Sequence, residues 1–162
     1  TPQSNLPTGS TIYVVVPANA FTNPDGDVAS GSPVINTYNF STLGLGNAAG
    51  GGFLICCSSG TLYIVAPVEA EVSRNWYSRG HAASRAATYT GCSGWYTPHC
   101  ATIKNPGYTC RTYWDTYTTT YYWSTQGNYS PNAIAVYMGN GGGAAVNAGS
   151  IYCVRAFRNV SY

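Results

Sequence analysis

Charge is what this 162-residue chain has least of: Lys, Arg, Asp and Glu together make up 7% of it, against about 25% in an average soluble protein. Seven Lys and Arg set against five Asp and Glu leave a net charge of +2. That is too small to steer the chain to nucleic acid or an anionic membrane, which need clustered basic charge. The chain also lacks any apolar run of about 18 residues, so no membrane insertion is expected. Histidine is scarce, with only His81 and His99, and the carboxylates Asp25, Asp27, Glu69, Glu71 and Asp115 are scattered. Catalysis needs a positioned nucleophile or acid–base pair, and Cys100 beside His99 does not make one, because helix neighbours do not face each other. The expectation is a protein that is not an enzyme. There is no C-x-x-C and no Cys/His ladder, which argues against structural zinc. Asp25-Gly26-Asp27 has no further oxygen ligands at the offsets calcium needs, and reads as a turn. No metal and no cofactor are expected. Residues 1–5 have neither the basic nor the apolar region of a signal peptide, so one is expected to be absent or already removed, and Thr1 fits the residue left when an initiator Met is trimmed.

In place of charge the chain has 15 Tyr and 19 Gly with abundant Ser, Thr and Asn, and 44% of it is hydrophobic. Such a surface offers hydrogen bonds and aromatic area with little repulsion, as antibody-type binding surfaces do, and suits assembly or adhesion. Disorder and coiled coil are both excluded for the chain as a whole. The six cysteines stand at 56, 57, 92, 100, 110 and 153. Most are expected to be reduced, buried small hydrophobes, with a Cys92–Cys100 bridge as the exception.

Along the chain, residues 1–10 read as a polar arm. Thr11–Val16 is a β-branched run ended by Pro17, hence a strand, and Val34–Phe40 is a second. Phe53–Cys57 and Leu62–Ala66 form a hairpin across Ser58-Ser59-Gly60-Thr61. After Pro67 the spacing of Val72, Trp76, Ala83 and Ala87 predicts one long helix over 68–89, with Gly80 as its one candidate break and Gly91 as its stop. Thr97-Pro98 predicts a short second helix over 98–105. Residues 108–119 read as a loop with one helical turn. Asn132–Met138 is apolar on both faces, Ala133, Ala135 and Tyr137 against Ile134, Val136 and Met138, which predicts a central strand. Gly139-Asn140-Gly141-Gly142-Gly143 then reverses the chain, and Ile151–Phe157 alternates as a tied-down strand.

The order of Gly94-Trp95-Tyr96-Thr97-Pro98, Tyr122-Trp123-Ser124-Thr125 and Cys153-Val154-Arg155 resembles the C-type lectin-like family. Within it, the likeness is to the branch of bacterial surface proteins and tailed-phage fibres marked by W-x-L-P, Y-W-S-S-T and V-R-C-V-R. The likeness covers about residues 68–162. It implies an α+β fold: residues 53–162 as a C-type lectin-like body with one long helix, a short second helix and a β-meander, preceded by an extended β-rich assembly segment over 1–52. Trp95, Pro98, Trp123 and Arg155 would be framework. Ligands would meet a loop face of Tyr108, Tyr113, Trp114, Tyr117, Tyr121 and Tyr129. The chain departs from the pattern at Thr97, where leucine is usual, and at His99, Cys100 and Ala101, where acids are usual. Ser130-Pro131-Asn132 carries no carboxylate, so calcium-dependent glycan binding is not expected.

The resemblance, the low charge and the extended N-terminal strands imply a non-catalytic virion surface protein of a tailed bacteriophage, a capsid decoration or fibre component. Its expected partners are copies of itself, as a homo-oligomer with a trimer favoured, other virion proteins, and a host-surface glycan or protein. The alternative is a secreted bacterial surface or pilus-tip adhesin, which would be extracellular and would carry the oxidised Cys92–Cys100 pair.

Overall fold

A computed structural model describes residues 11–15, 37–41 and 44–161. The expected arm over 1–10 and the turn at 23–27 lie outside the described residues, as does the start of the second expected strand. The chain divides into two compact units, 1–44 and 45–162. Residues 45–52, placed with the N-terminal segment on sequence grounds, fall in the second unit, where Ala48 and Ala49 pair with Phe53 and Gly52.

In the first unit, β1 (Thr11–Val15) and β2 (Thr37–Ser41) pair antiparallel, from Thr11 opposite Ser41 to Val15 opposite Thr37. Both segments are rich in the β-branched and aromatic residues that suit a pleated backbone.

The second unit holds two sheets. One has the order β11-β5-β4-β3, from β3 (Ala48–Ala49), β4 (Gly52–Ser58), β5 (Thr61–Val65) and β11 (Phe157–Ser161). The other has the order β6-β10-β7-β8-β9, from β6 (Val72–Arg74), β7 (Tyr121–Gly127), β8 (Asn132–Tyr137), β9 (Gly143–Asn147) and β10 (Tyr152–Val154). Strand β10 runs antiparallel to β6 and parallel to β7.

Successive residues of these strands enter two different cores. Leu54, Ile64, Trp123, Ala135 and Val154 lie in one cluster, with Ala82 and Ala86 of the helix α1 (His81–Thr90). Ile55, Val65, Tyr122, Val136 and Phe157 lie in the other, with Trp114. A period-2 strand that is apolar on both faces is buried on both faces, which is the expectation for β8. Gly52 sits where the backbones close most tightly. A Cβ there would stand 2.2 Å from Val65 O and 2.9 Å from the Trp95 ring.

The α+β body with one long helix is not what the chain adopts. Among the described residues the fold is mostly β, with two short helices, α1 and α2 (Cys100–Thr102). Residues 68–80 break the expected helix for identifiable reasons. Val68–Ala70 make a single 3-10 turn, and Glu71 is extended (φ −64°, ψ 147°). Val72–Arg74 then give their backbone to β10, and Asn75 caps the next turn by accepting from Ser78 N–H at 3.1 Å. Pairing with a strand some eighty residues away overrides a helical spacing that local propensity alone would allow. Even within α1 the expected face is one residue off, since Ala82 and Ala86 are the fully buried pair. Gly91 ends α1 as expected, in the left-handed region at φ 67°.

Two further corrections concern the C-terminal third. The strand β9 follows the glycine turn and was not anticipated. The segment Ile151–Phe157 is not one strand: Ile151 is exposed, β10 ends at Val154, and Phe157 opens β11 in the other sheet.

Candidate functional site

The tyrosine-rich residues expected to form one ligand face are distributed among several environments. Trp114 is buried, edge-on to Tyr117, Tyr122 and Phe157 at centroid distances of 6.3, 5.9 and 5.7 Å. Tyr121 lies between Tyr137 and Tyr152, 5.2 Å from each. Tyr108 is half-buried beneath the Arg111 guanidinium, 4.0 Å from its ring. Tyr113 packs near Gly46, and Tyr129 stands 91% exposed beyond the end of β7. Of the six, Trp114 and Tyr117 are brought together as core partners.

The framework residues are interior. Trp95 Nε1 donates to Thr90 Oγ1 at 3.0 Å, Trp123 Nε1 donates to Arg74 O at 2.9 Å, and Pro98 O accepts from Thr125 N–H at 3.0 Å. Arg155 is 2% exposed and sits where the chain passes from β10 to β11. Its Nε reaches Glu71 Oε2 at 3.0 Å, and its Nη1 reaches Asp115 Oδ1 at 2.9 Å and Thr116 O at 2.6 Å. Asp115 Oδ2 in turn accepts from Val68 N–H at 2.7 Å, and Tyr122 O–H donates to Glu71 Oε2 at 2.9 Å. Residues 68–71, 115–116 and Tyr122 are thereby fastened, directly or through a carboxylate, to one guanidinium, a structural role for a buried ion network.

Burial, and then the neighbouring Glu71 carboxylate, push the Tyr122 phenol well above the ordinary tyrosine range. Because the folded value is the higher, Tyr122 contributes stability that is fully present below the unfolded value of about pH 10 and is lost as pH rises through the folded one. Thermal melts from about pH 8 to pH 12 should show Tm falling on the alkaline side, with a shallower fall in Tyr122→Phe. An equal fall in both proteins would remove Tyr122 from the account.

The six cysteines are free, so the expected Cys92–Cys100 bridge is not formed. Burial pushes the thiols of Cys56, Cys100 and Cys153 up, which disfavours the nucleophilic thiolate; for Cys56 the neighbouring Cys110 adds to the effect. Among the described residues no group of three or more His, Cys, Asp and Glu side chains is placed to hold a metal ion.

What sequence reasoning missed is a shallow cleft of about 460 Å³ beside the start of α1, lined by Tyr77, Arg79, Gly80, Tyr96, Thr97 and Thr125. The 3-10 turn Trp76–Ser78 and the first turn of α1 form one wall, and the Tyr96-Thr97 segment with the end of β7 forms the other. Trp76 anchors the first wall by donating Nε1 to Ser124 O at 2.9 Å. The Arg79 guanidinium lies 3.7 Å over the Trp76 ring, and its Nη1 donates to Trp76 O at 2.8 Å. Thr97 Oγ1 donates to Arg79 O at 3.2 Å and ties the two walls together. Arg79 Nε is buried without an acceptor, and burial lowers the guanidinium below its usual value. Tyr77 stands edge-on to Trp76, with centroids 5.7 Å apart, and is 66% exposed. The Trp-Tyr-Ser-Arg run over 76–79 was a signal of this site, hidden by being read as helix interior.

No protein-family model matches the chain, and no curated protein matches it.

Proposed function

We propose that this chain is a non-catalytic virion surface protein of a tailed bacteriophage, in which residues 1–44 serve assembly and the body of 45–162 is displayed. The observation that carries the reading is the β1–β2 ribbon. Among the described residues its two strands pair with each other alone, and a two-stranded sheet is marginally stable by itself in water. Such a ribbon gains stability by adding strands, and the outer edges of β1 and β2 offer backbone N–H and C=O groups for that purpose. A second copy of the same chain supplies matching strands in a closed homo-oligomer. The body, by contrast, has two apolar cores of its own and needs no partner to bury them.

The test is the solution mass by light scattering of the full chain and of residues 45–162 at micromolar concentration. The full chain is expected to be a closed oligomer, a trimer in the favoured form, and the body a monomer. A monomeric full chain would remove the assembly role. So would a truncated body that attaches to virus particles as well as the intact chain does.

A further inference from the structure

We infer that Cys56 and Cys110 are a bridge-forming pair, which a small-molecule disulfide oxidises to a covalent staple between β4 and the 3-10 turn Arg111–Tyr113. The fold brings the two thiols together from the ends of a span of about 50 residues. Strand β4 packs against that turn, which Cys110 caps, and both cysteines rest on the apolar cluster of Ile55, Val65, Trp114 and Phe157. There the Cys56 and Cys110 side chains are hydrogen-bonded to each other.

Their backbones are already fixed. Cys56 pairs with Tyr63 across the β4–β5 hairpin, while Cys110 donates its N–H to Pro106 O at 2.9 Å and accepts from Tyr113 N–H at 3.0 Å. Closing the bridge therefore asks for rotation of two side chains and little more, the condition under which a cross-link stabilises without strain. The remaining thiols face other groups. Cys57 is exposed, on the opposite side of β4 from Cys56 as the period of a strand requires. Cys92 lies beside Gly51, Cys100 beside Gly143, and Cys153 Sγ is 3.6 Å from Thr118 Oγ1.

The chemistry is thiol–disulfide exchange, with a disulfide of the glutathione type as oxidant. One protein thiol loses its proton and attacks a sulfur of that disulfide, whose S–S bond breaks and releases a small thiolate. The second protein thiol loses its proton and attacks the protein sulfur of the mixed disulfide, releasing the other. Two protein thiols thus give up two electrons, one small disulfide is reduced to two thiols, and the two protons pass to the leaving thiolates. Both cysteines are only partly buried, so solvent reaches the pair while the core behind it stays closed. The burial that holds the Cys56 thiol up also makes its thiolate a poor leaving group, so the bridge once formed is slow to open, unlike that of a catalytic redox pair. Free thiols are then the state of the chain in a reducing compartment, and the staple its state outside one.

The staple goes beyond the surface-display reading and stands or falls independently of it. Tryptic cleavage places Cys110 in residues 105–111 and both Cys56 and Cys57 in residues 1–74. The experiment incubates the full chain with oxidised glutathione at about pH 8, alkylates the remaining thiols, and reads the unreduced digest by mass spectrometry beside a non-reducing gel. Variants are compared after each is shown to melt cooperatively, and the wild-type digest reads the link without them. A link between residues 1–74 and 105–111 is expected in the wild type and in Cys57→Ser, and none in Cys56→Ala or Cys110→Ala. Oxidation is expected to raise the Tm of the wild type by about 5 °C or more and to leave that of Cys110→Ala unchanged. No such link, glutathione adducts in its place, a link lost in Cys57→Ser or kept in Cys56→Ala, a link between two chains, or a link without a rise in Tm would each overturn the inference.

Discussion

Replacing Arg155 with methionine is expected to destabilise the 45–162 unit by about 3–5 kcal/mol, a large part of the total stability of a single domain. The loss comes less from the attraction removed than from what is left behind. Glu71 and Asp115 both point at the guanidinium, at 3.0 and 2.9 Å, and without it two mostly buried carboxylates lose the cation they share. The accompanying prediction separates these effects. In the triple variant Arg155→Met, Glu71→Gln, Asp115→Asn the unpaired charges are gone, and most of the loss should be recovered, because replacing a complete buried ion set by neutral groups is often close to neutral. Urea unfolding midpoints of the wild type, single and triple variants measure this directly. A single variant as stable as the wild type would show that the network contributes nothing net, and a triple variant no better than the single would assign the loss to packing over Trp114, 5.2 Å from the guanidinium carbon.

Trp123→Ala should cost a similar amount, about 3–5 kcal/mol, by a different mechanism. Trp123 is fully buried, packs 5.1 Å from Tyr152, and holds β7 to β6 through its bond to Arg74 O. Truncation opens a ring-sized cavity between strands that meet only through β10, which cannot collapse without shifting both. Trp123→Phe keeps most of the volume and should lose markedly less in the same urea experiment. Equal losses in the two variants would mean that the hydrogen bond to Arg74 matters more than the cavity.

Much of the second unit was legible in the sequence wherever the side-chain pattern and the backbone agree. The hairpin of β4 and β5 has clean apolar runs around Ser59-Gly60, both with positive φ (48° and 75°), and the run Asn132–Met138 that contains β8 is apolar on both faces. Residues 68–80 were misread because their apolar spacing fits a helix, while the decisive contacts are the β10 backbone and Arg155, both far along the chain. Strand β9 was missed for the opposite reason: Gly143-Ala144-Ala145-Val146-Asn147 is small and weakly patterned, and becomes a strand because β8 offers it an edge. Arg155 was named as framework on the resemblance, and nothing in the spacing names Glu71 and Asp115 as its partners. The expected tyrosine face failed to appear as one surface because aromatic residues in a low-charge chain serve as core as readily as surface, and Trp114 and Tyr121 are used that way. The cleft was missed because its walls come from residues 77–83, 96–97 and 125, which only the tertiary fold apposes, and because its one signal, the run over 76–79, reads as helix interior.

The way β10 and β11 divide between the two sheets has a consequence for how the protein is made. Strand β10 is the link between β6 and β7, and β11 is the partner that covers the outer side of β5. Until residues 152–161 have left the ribosome neither sheet has all its strands, and Arg155, which draws Glu71 and Asp115 together, has not been added. The body of 45–162 therefore closes after synthesis of its last strand and not progressively during it. Its early strands wait in the exit vestibule with their apolar edges uncovered, and a nascent chain stalled before residue 152 should be the form most in need of a chaperone.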